Sequence, residues 1–201
     1  MLHIFQYNNV NGKVELEKPE ILLISEFKAL VQKSRNVCNA DKTGEKCLRA
    51  FKEFSCGIDR MIAGEYVDTE YEGKEISSQY LEYMHENKTG ALIRASARIG
   101  AILAGASEDD IINITNYSEK IGLAFQIRDD ILSEIGNAEE LGKPVGNDKQ
   151  RGKCTYVTKY GLEESKKMLD NLIEEAINII DKYNKNDFLK SLALYISNRN
   201  K

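Results

Sequence analysis

GLAFQIRDDILSEI, residues Gly122–Ile135, is apolar around nearly all of its circumference when wound as an α-helix. With the preceding Ile121, its residues Leu123, Ala124, Phe125, Ile127, Ile131, Leu132 and Ile135 leave little polar surface, and a helix of that kind is normally buried. Set into it are Gln126, Asp129 and Asp130, close enough in the helical repeat to share one face. Two adjacent carboxylates buried without a partner would be strongly destabilising. Something cationic is therefore expected to meet them, foremost a metal ion.

Upstream, Ser107-Glu108-Asp109-Asp110 reads as a capping box that opens this helix, with three carboxylates favourable at its N-terminus. The capping role also explains the run DDIIN at Asp109–Asn113, which is set aside as a metal motif. From Ser107 to about Ile135 the helix spans roughly 40 Å. Downstream, Gly136–Gly161 reads as a loop carrying five glycines together with Lys143, Lys149, Arg151 and Lys153. A loop of this length in a compact domain is usually functional or disordered, and its basic residues can fold back over Asp129 and Asp130. Two amphipathic helices follow, about Glu163–Tyr183 and Asp187–Arg199, the first with Leu169, Leu172, Ile173, Ala176, Ile179 and Ile180 on its apolar face.

Toward the N-terminus, a helix is expected from about Glu45 to Asp68, with Leu48, Phe51, Ile58, Ile62 and Tyr66 at helical spacing and with Glu65 and Asp68 on one face of its polar end. Ser77 or Ser78 caps the next segment, where His85-Glu86-Asn87-Lys88-Thr89-Gly90 interrupts an apolar pattern. A break or kink near Gly90 would turn Lys88 and Thr89 into a cavity, a cation and a hydroxyl suited to phosphate oxygens. On spacing alone a simple surface turn is the preferred reading. Ile21–Val37 is also helical in period, whereas Met1–Pro19 differs from the rest and reads as a hairpin around Asn9–Gly12, an ordered tail or an unrelated leader.

The 201 residues suit one domain with a sizeable core, all-α in class, divided as a non-matching segment 1–19 and a helical domain 20–201. A net charge of −4 with both signs interspersed argues against a nucleic-acid surface. Cys38, Cys47, Cys56 and Cys154 show no metal-ligand spacing and read as reduced thiols, mostly core filler. Two histidines, His3 and His85, make zinc or a His-based triad improbable. No signal peptide and no apolar run of membrane-spanning length is found, so a cytoplasmic protein is expected.

Four motifs in order, KTGAL (Lys88–Leu92), FQIRDDIL (Phe125–Leu132), LGKPVGND (Leu141–Asp148) and GKCTY (Gly152–Tyr156), resemble the trans-isoprenyl diphosphate synthases, the polyprenyl synthetase family. The resemblance runs from about Pro19 to the C-terminus and covers the C-terminal two-thirds or so of that family's chain. It implies a helical bundle of the class I terpenoid synthase type and condensation of an allylic diphosphate with isopentenyl diphosphate, with Mg²⁺ neutralising the leaving diphosphate. It further implies Asp129 as Mg²⁺ ligand with Asp130 and Gln126 in support, and Lys88, Lys143 and Lys153 on the allylic diphosphate with Thr89 donating a hydroxyl. Asp68 matches the acidic residue of the GQxxD segment, and Asp148 lies in the loop that closes the site. A homodimer or heteromer is implied as well.

Three departures qualify that resemblance. The family's first aspartate-rich motif should precede Ile21, and Met1–Glu20 contains no aspartate. An N-terminally truncated domain, impaired in ionising its substrate when alone, is therefore expected. Ser133 stands at the last aspartate of the second DDxxD motif, where its hydroxyl, four residues from Asp129, can still serve as a weaker metal ligand. Glu65 stands where GQxxD has glutamine. Two other readings follow, a non-catalytic partner subunit of a heteromeric synthase and, further off, a terpene-cyclase-like enzyme, whose motif is incomplete because Asn137 replaces its glutamate.

Overall fold

The structure, a computed structural model, describes residues 7–10, 13–16, 41–135 and 154–199. Two strands, β1 (Tyr7–Val10) and β2 (Lys13–Leu16), pair antiparallel with Tyr7 opposite Leu16 and Val10 opposite Lys13. Of the three readings of the N-terminal segment, the hairpin is the one observed. The helices are α1 (Asp41–Glu70), α2 (Ser78–His85), a π-helical turn at Glu86–Gly90, α3 (Ala91–Ala104), α4 (Glu108–Ile135), α5 (Tyr156–Tyr160), α6 (Leu162–Ile180) and α7 (Asp187–Asn198). The chain divides into two units, Met1–Leu48 and Arg49–Lys201, and the second is all-α. The helix expected over Ile21–Val37 lies outside the described residues.

Helix α4 is the axis of the second unit and packs on α3, α6, α7 and the π turn. Its Ile121, Ala124, Ile127 and Ile131 are fully buried and meet Leu169, Ile173, Ala176 and Ile180 of α6. This is the apolar face expected of α6, with Leu172 and Ile179 at its margin. Both caps form, since Ser107 Oγ accepts from the Asp110 amide at 3.2 Å and Ser77 Oγ from the Tyr80 amide at 3.2 Å. A bidentate pair from Arg98 to Glu53, at 2.7 Å on both arms, and a 2.7 Å bond from Arg98 to Thr115 Oγ1 lace α1, α3 and α4 together.

Several expectations are corrected. The chain does not break near Gly90, whose φ of −61° and ψ of −35° are helical; one widened turn joins α2 to α3 instead. The end of the supposed Gly136–Gly161 loop is helical, because Thr155 closes a capping box with Thr158 to start α5. On α1 the apolar spacing is not matched by burial, since Leu48, Ile62 and Tyr66 are exposed. Spacing reports that a stripe exists but not whether another element covers it. The described thiols are not core filler either, as Cys56 is exposed and Cys47 and Cys154 are half-buried and unbridged, while Cys38 lies outside the described residues. Among the described residues no helix is long and apolar enough to cross a membrane.

Missing side chains set the closest helix approaches. A Cβ on Gly64 of α1 would lie 2.2 Å from the Lys88 backbone nitrogen, and one on Gly122 of α4 would lie 2.8 Å from the Gly90 Cα. Both helices thus reach the π turn backbone to backbone. G64A is expected to destabilise by about 3 kcal/mol or more and G122A by about 1–3 kcal/mol, because rigid backbone must move. Gly100, whose Cβ would meet nothing within 4 Å, is the control, and G100A should gain up to about 1 kcal/mol. Urea denaturation of the three variants checks the order; a G64A protein as stable as the parent would refute the close approach.

Candidate functional site

The π turn carries Lys88 and Thr89, and its wider pitch sets them between the end of α1 and the middle of α4. Lys88 Nζ lies 2.6 Å from Asp68 Oδ2 and 3.0 Å from Glu65 Oε2, so both α1 carboxylates fall on one cation. Burial works to deprotonate this amine, but its hydrogen bonds to Asp68 and Glu65 outweigh that and hold its pKa above the ordinary lysine value. Thr89 Oγ1 donates to Gln126 Oε1 at 3.2 Å across a separation of 37 residues. Gln126 Nε2 in turn donates to Asp130 Oδ1 at 3.1 Å. A polar line thus runs from α1 through the π turn to Asp130 of α4.

The two aspartates have different surroundings. Asp130 is only 5% exposed, and its other oxygen accepts the Tyr156 backbone N–H at 2.8 Å, at the first residue of α5. Asp129 keeps 39% of its side chain exposed and pairs through Oδ1 with Arg199 Nη2 at 3.1 Å. The same Nη2 donates to the Phe125 carbonyl at 3.1 Å, and the guanidinium stacks over the Phe125 ring at 3.9 Å. The Arg199 carbonyl accepts from Arg128 Nε and Nη2 at 2.9 and 2.7 Å. The cation that meets the α4 carboxylates among the described residues is therefore an arginine 70 residues away, and it meets only Asp129.

Ser133 is buried one turn beyond Asp129. Lys143, Asp148 and Lys153 lie outside the described residues. Among the described residues no three His, Cys, Asp or Glu side chains converge as a metal cluster. Mg²⁺ bound with a diphosphate needs fewer, since one or two protein carboxylates suffice when phosphate oxygens and water complete the octahedron. Asp129 fits that demand, being half-exposed with no partner on Oδ2 among the described residues. Asp130 fits it less well, because each of its oxygens already accepts a hydrogen bond from the protein.

Two groups carried no signal in the sequence. One is Arg199, which only the return of α7 brings to α4. The other is His85, buried against the Tyr156 ring at 5.3 Å, with Nε2 3.8 Å from Asp130 Oδ2 and no hydrogen-bond partner for either nitrogen among the described residues. That distance is too long for a hydrogen bond. Burial, aided by repulsion from Lys88, pushes its imidazole down from 6.5 to about 4 against the opposing pull of Asp68. His85 is thus neutral at physiological pH.

A model of the polyprenyl synthetase family matches residues 21–193. Over 172 residues the chain is 39% identical to geranylgeranyl pyrophosphate synthase 4 of Arabidopsis thaliana, a match covering 82% of this chain and 46% of that one. It is 41% identical over 150 residues to the farnesyl diphosphate synthase of Escherichia coli (strain K12), covering 72% of this chain and 50% of that one. The chain spans about half the length of these curated relatives. The crystal structure of a geranyltransferase from Helicobacter pylori, complexed with magnesium and isoprenyl diphosphate, superposes with a TM-score of 0.71 at 27% identity, covering 90% of this chain and 58% of that one.

His85 makes stability sensitive to acid. The unfolded chain takes up its proton near pH 6.5 and the folded chain only near pH 4, so the unfolded state binds more protons between those values and stability falls as pH drops through that window. Denaturation at pH 7 and pH 5 should show a loss that shrinks by up to about 2 kcal/mol in His85→Phe, which cannot titrate. Equal losses in the two proteins would refute a buried neutral imidazole.

Proposed function

Because this chain belongs to the polyprenyl synthetase family, we propose that it carries the diphosphate- and metal-binding wall of a prenyltransferase site of isoprenoid biosynthesis. The observation that carries this reading is the bridge from the π turn to α4, which joins the Lys88–Thr89 pair through Gln126 to Asp130, the neighbour of Asp129 in the chain. The substrates are an allylic diphosphate and isopentenyl diphosphate. In the reaction the allylic C–O bond breaks, pyrophosphate leaves with the electron pair, the isopentenyl double bond forms the new C–C bond, and a proton is lost. Mg²⁺, when bound, neutralises charge on the departing phosphate oxygens.

Each residue has a defined part in this reading. Lys88 transfers its charge from Asp68 and Glu65 to the diphosphate, for which its protonated state suits it. Thr89 offers its hydroxyl to a phosphate oxygen while Gln126 keeps its orientation. Asp129 supplies the protein's carboxylate to the metal, with Ser133 as a weaker neighbour. Asp130 holds the start of α5 and Gln126 in place. Lys143 and Lys153 add their charge to the diphosphate side, and Asp148 belongs to the loop that closes the site. The described residues supply one acidic wall, and efficient ionisation calls for a second. A dimer or heteromer, as a further part of this reading, would cover the exposed Ile62 and Tyr66 of α1.

Inorganic pyrophosphate with Mg²⁺ at about 100 times its dissociation constant should stabilise the chain by roughly 2.7 kcal/mol, a rise of several degrees in Tm. D129A should abolish the rise. Absence of any shift in the parent protein would refute the binding site. Incubation with labelled isopentenyl diphosphate and an allylic diphosphate tests turnover, and vigorous elongation by the isolated chain would refute the need for a second acidic wall.

A further inference from the structure

Three residues of one α4 face grip a single residue that follows α7. Phe125 offers its ring and its carbonyl to the Arg199 guanidinium, Asp129 offers Oδ1, and Arg128 donates twice to the Arg199 carbonyl. The Arg199 side chain is 9% exposed and its buried Nε has no hydrogen-bond partner among the described residues, although a solvated arginine satisfies all its donors. Anchoring α7 alone would need none of this, because the Arg128 bonds and the packing of Ala193 and Ile196 already achieve it. What the guanidinium adds is a fixed orientation of one carboxylate.

We propose that Arg199 is a positioning residue for Asp129, holding Oδ1 so that Oδ2 faces a divalent cation. The proposal rests on the reading of Asp129 as the metal-facing carboxylate. An exposed aspartate samples several rotamers, and freezing one before the metal arrives removes an ordering cost from binding. The planar guanidinium stacks on the Phe125 ring while its Nη2 donates to both the carboxylate and the backbone carbonyl, an arrangement the point charge of lysine reproduces less well. Because Arg199 acts through the Asp129 carboxylate, its influence falls on metal affinity.

The test titrates Mg²⁺ at a fixed saturating concentration of inorganic pyrophosphate and reads the half-saturating Mg²⁺ concentration from the thermal shift. R199Q should need about 10-fold more Mg²⁺ or beyond, the size usual for losing a hydrogen-bond partner of a metal ligand, and R199K should fall between. F125L removes the stacking but leaves the Asp129 contact, so it should lower the ligand-free Tm with an unchanged Mg²⁺ requirement. If R199Q is too unstable to titrate, R199K against F125L makes the same comparison. An unchanged or lower Mg²⁺ requirement in the Arg199 variants, or an equal rise in F125L, would overturn the proposal. If the parent responds and D129A does not, such a result sinks only the role of Arg199; if the parent itself fails to respond, the metal-facing reading of Asp129 fails and this inference falls with it.

Discussion

The carboxylate of Asp130 is the constraint on which this site depends. It lies in the apolar centre of α4, where an unsatisfied charge would be intolerable, and each oxygen takes a donor from a different part of the chain. One donor is the first backbone N–H of α5, a group that a helix start leaves without an intrahelical partner. The same bond therefore satisfies two demands, that of a buried acceptor and that of an orphan donor. It also ties the chain at Tyr156 to the middle of α4, across a span of 26 residues. The other donor, Gln126, is aimed by Thr89, so the π turn is bound into the same network.

Close backbone packing makes the network geometrically possible. Gly64 and Gly122 let α1 and α4 approach the π turn at distances that any side chain would forbid. Lys88 is consequently caught between two carboxylates of α1 while Thr89, the next residue, reaches α4. In an ordinary α-helix the two would point about 100° apart with no widened turn to accommodate neighbours on both sides. Charge is partly compensated locally as well. Lys88 is matched by Glu65 and Asp68, Asp129 by Arg199, and the neutral His85 adds no charge beneath Asp130.

Much of this was legible in the residues themselves. The all-round apolar character of Gly122–Ile135, the capping box at Ser107 and the stripe from Leu169 to Ile180 each correspond to an observed element, because caps and helical repeats act within a few residues. The shared face of Gln126 and Asp130 was readable for the same reason. The π turn was not, since His85–Gly90 offers the same polar interruption to a surface turn, a kink or a widened helix. Nor was the exposure of Ile62 and Tyr66, which depends on what lies opposite them.

By itself, then, the sequence determined the helices, their caps, the family and the placing of Gln126, Asp129 and Asp130 on one face. It also required that carboxylates on so apolar a helix be met, although only Asp130 proves buried and Asp129 stays half-exposed. Only the tertiary structure decided by what: a guanidinium from beyond α7 for Asp129, and a backbone N–H and an amide for Asp130. The physical reason is range. Helical periodicity and capping act between neighbours in the chain, whereas neutralising a carboxylate depends on whichever donor the fold brings within about 3 Å. For Asp129 that donor lies 70 residues away, where no local pattern announces it.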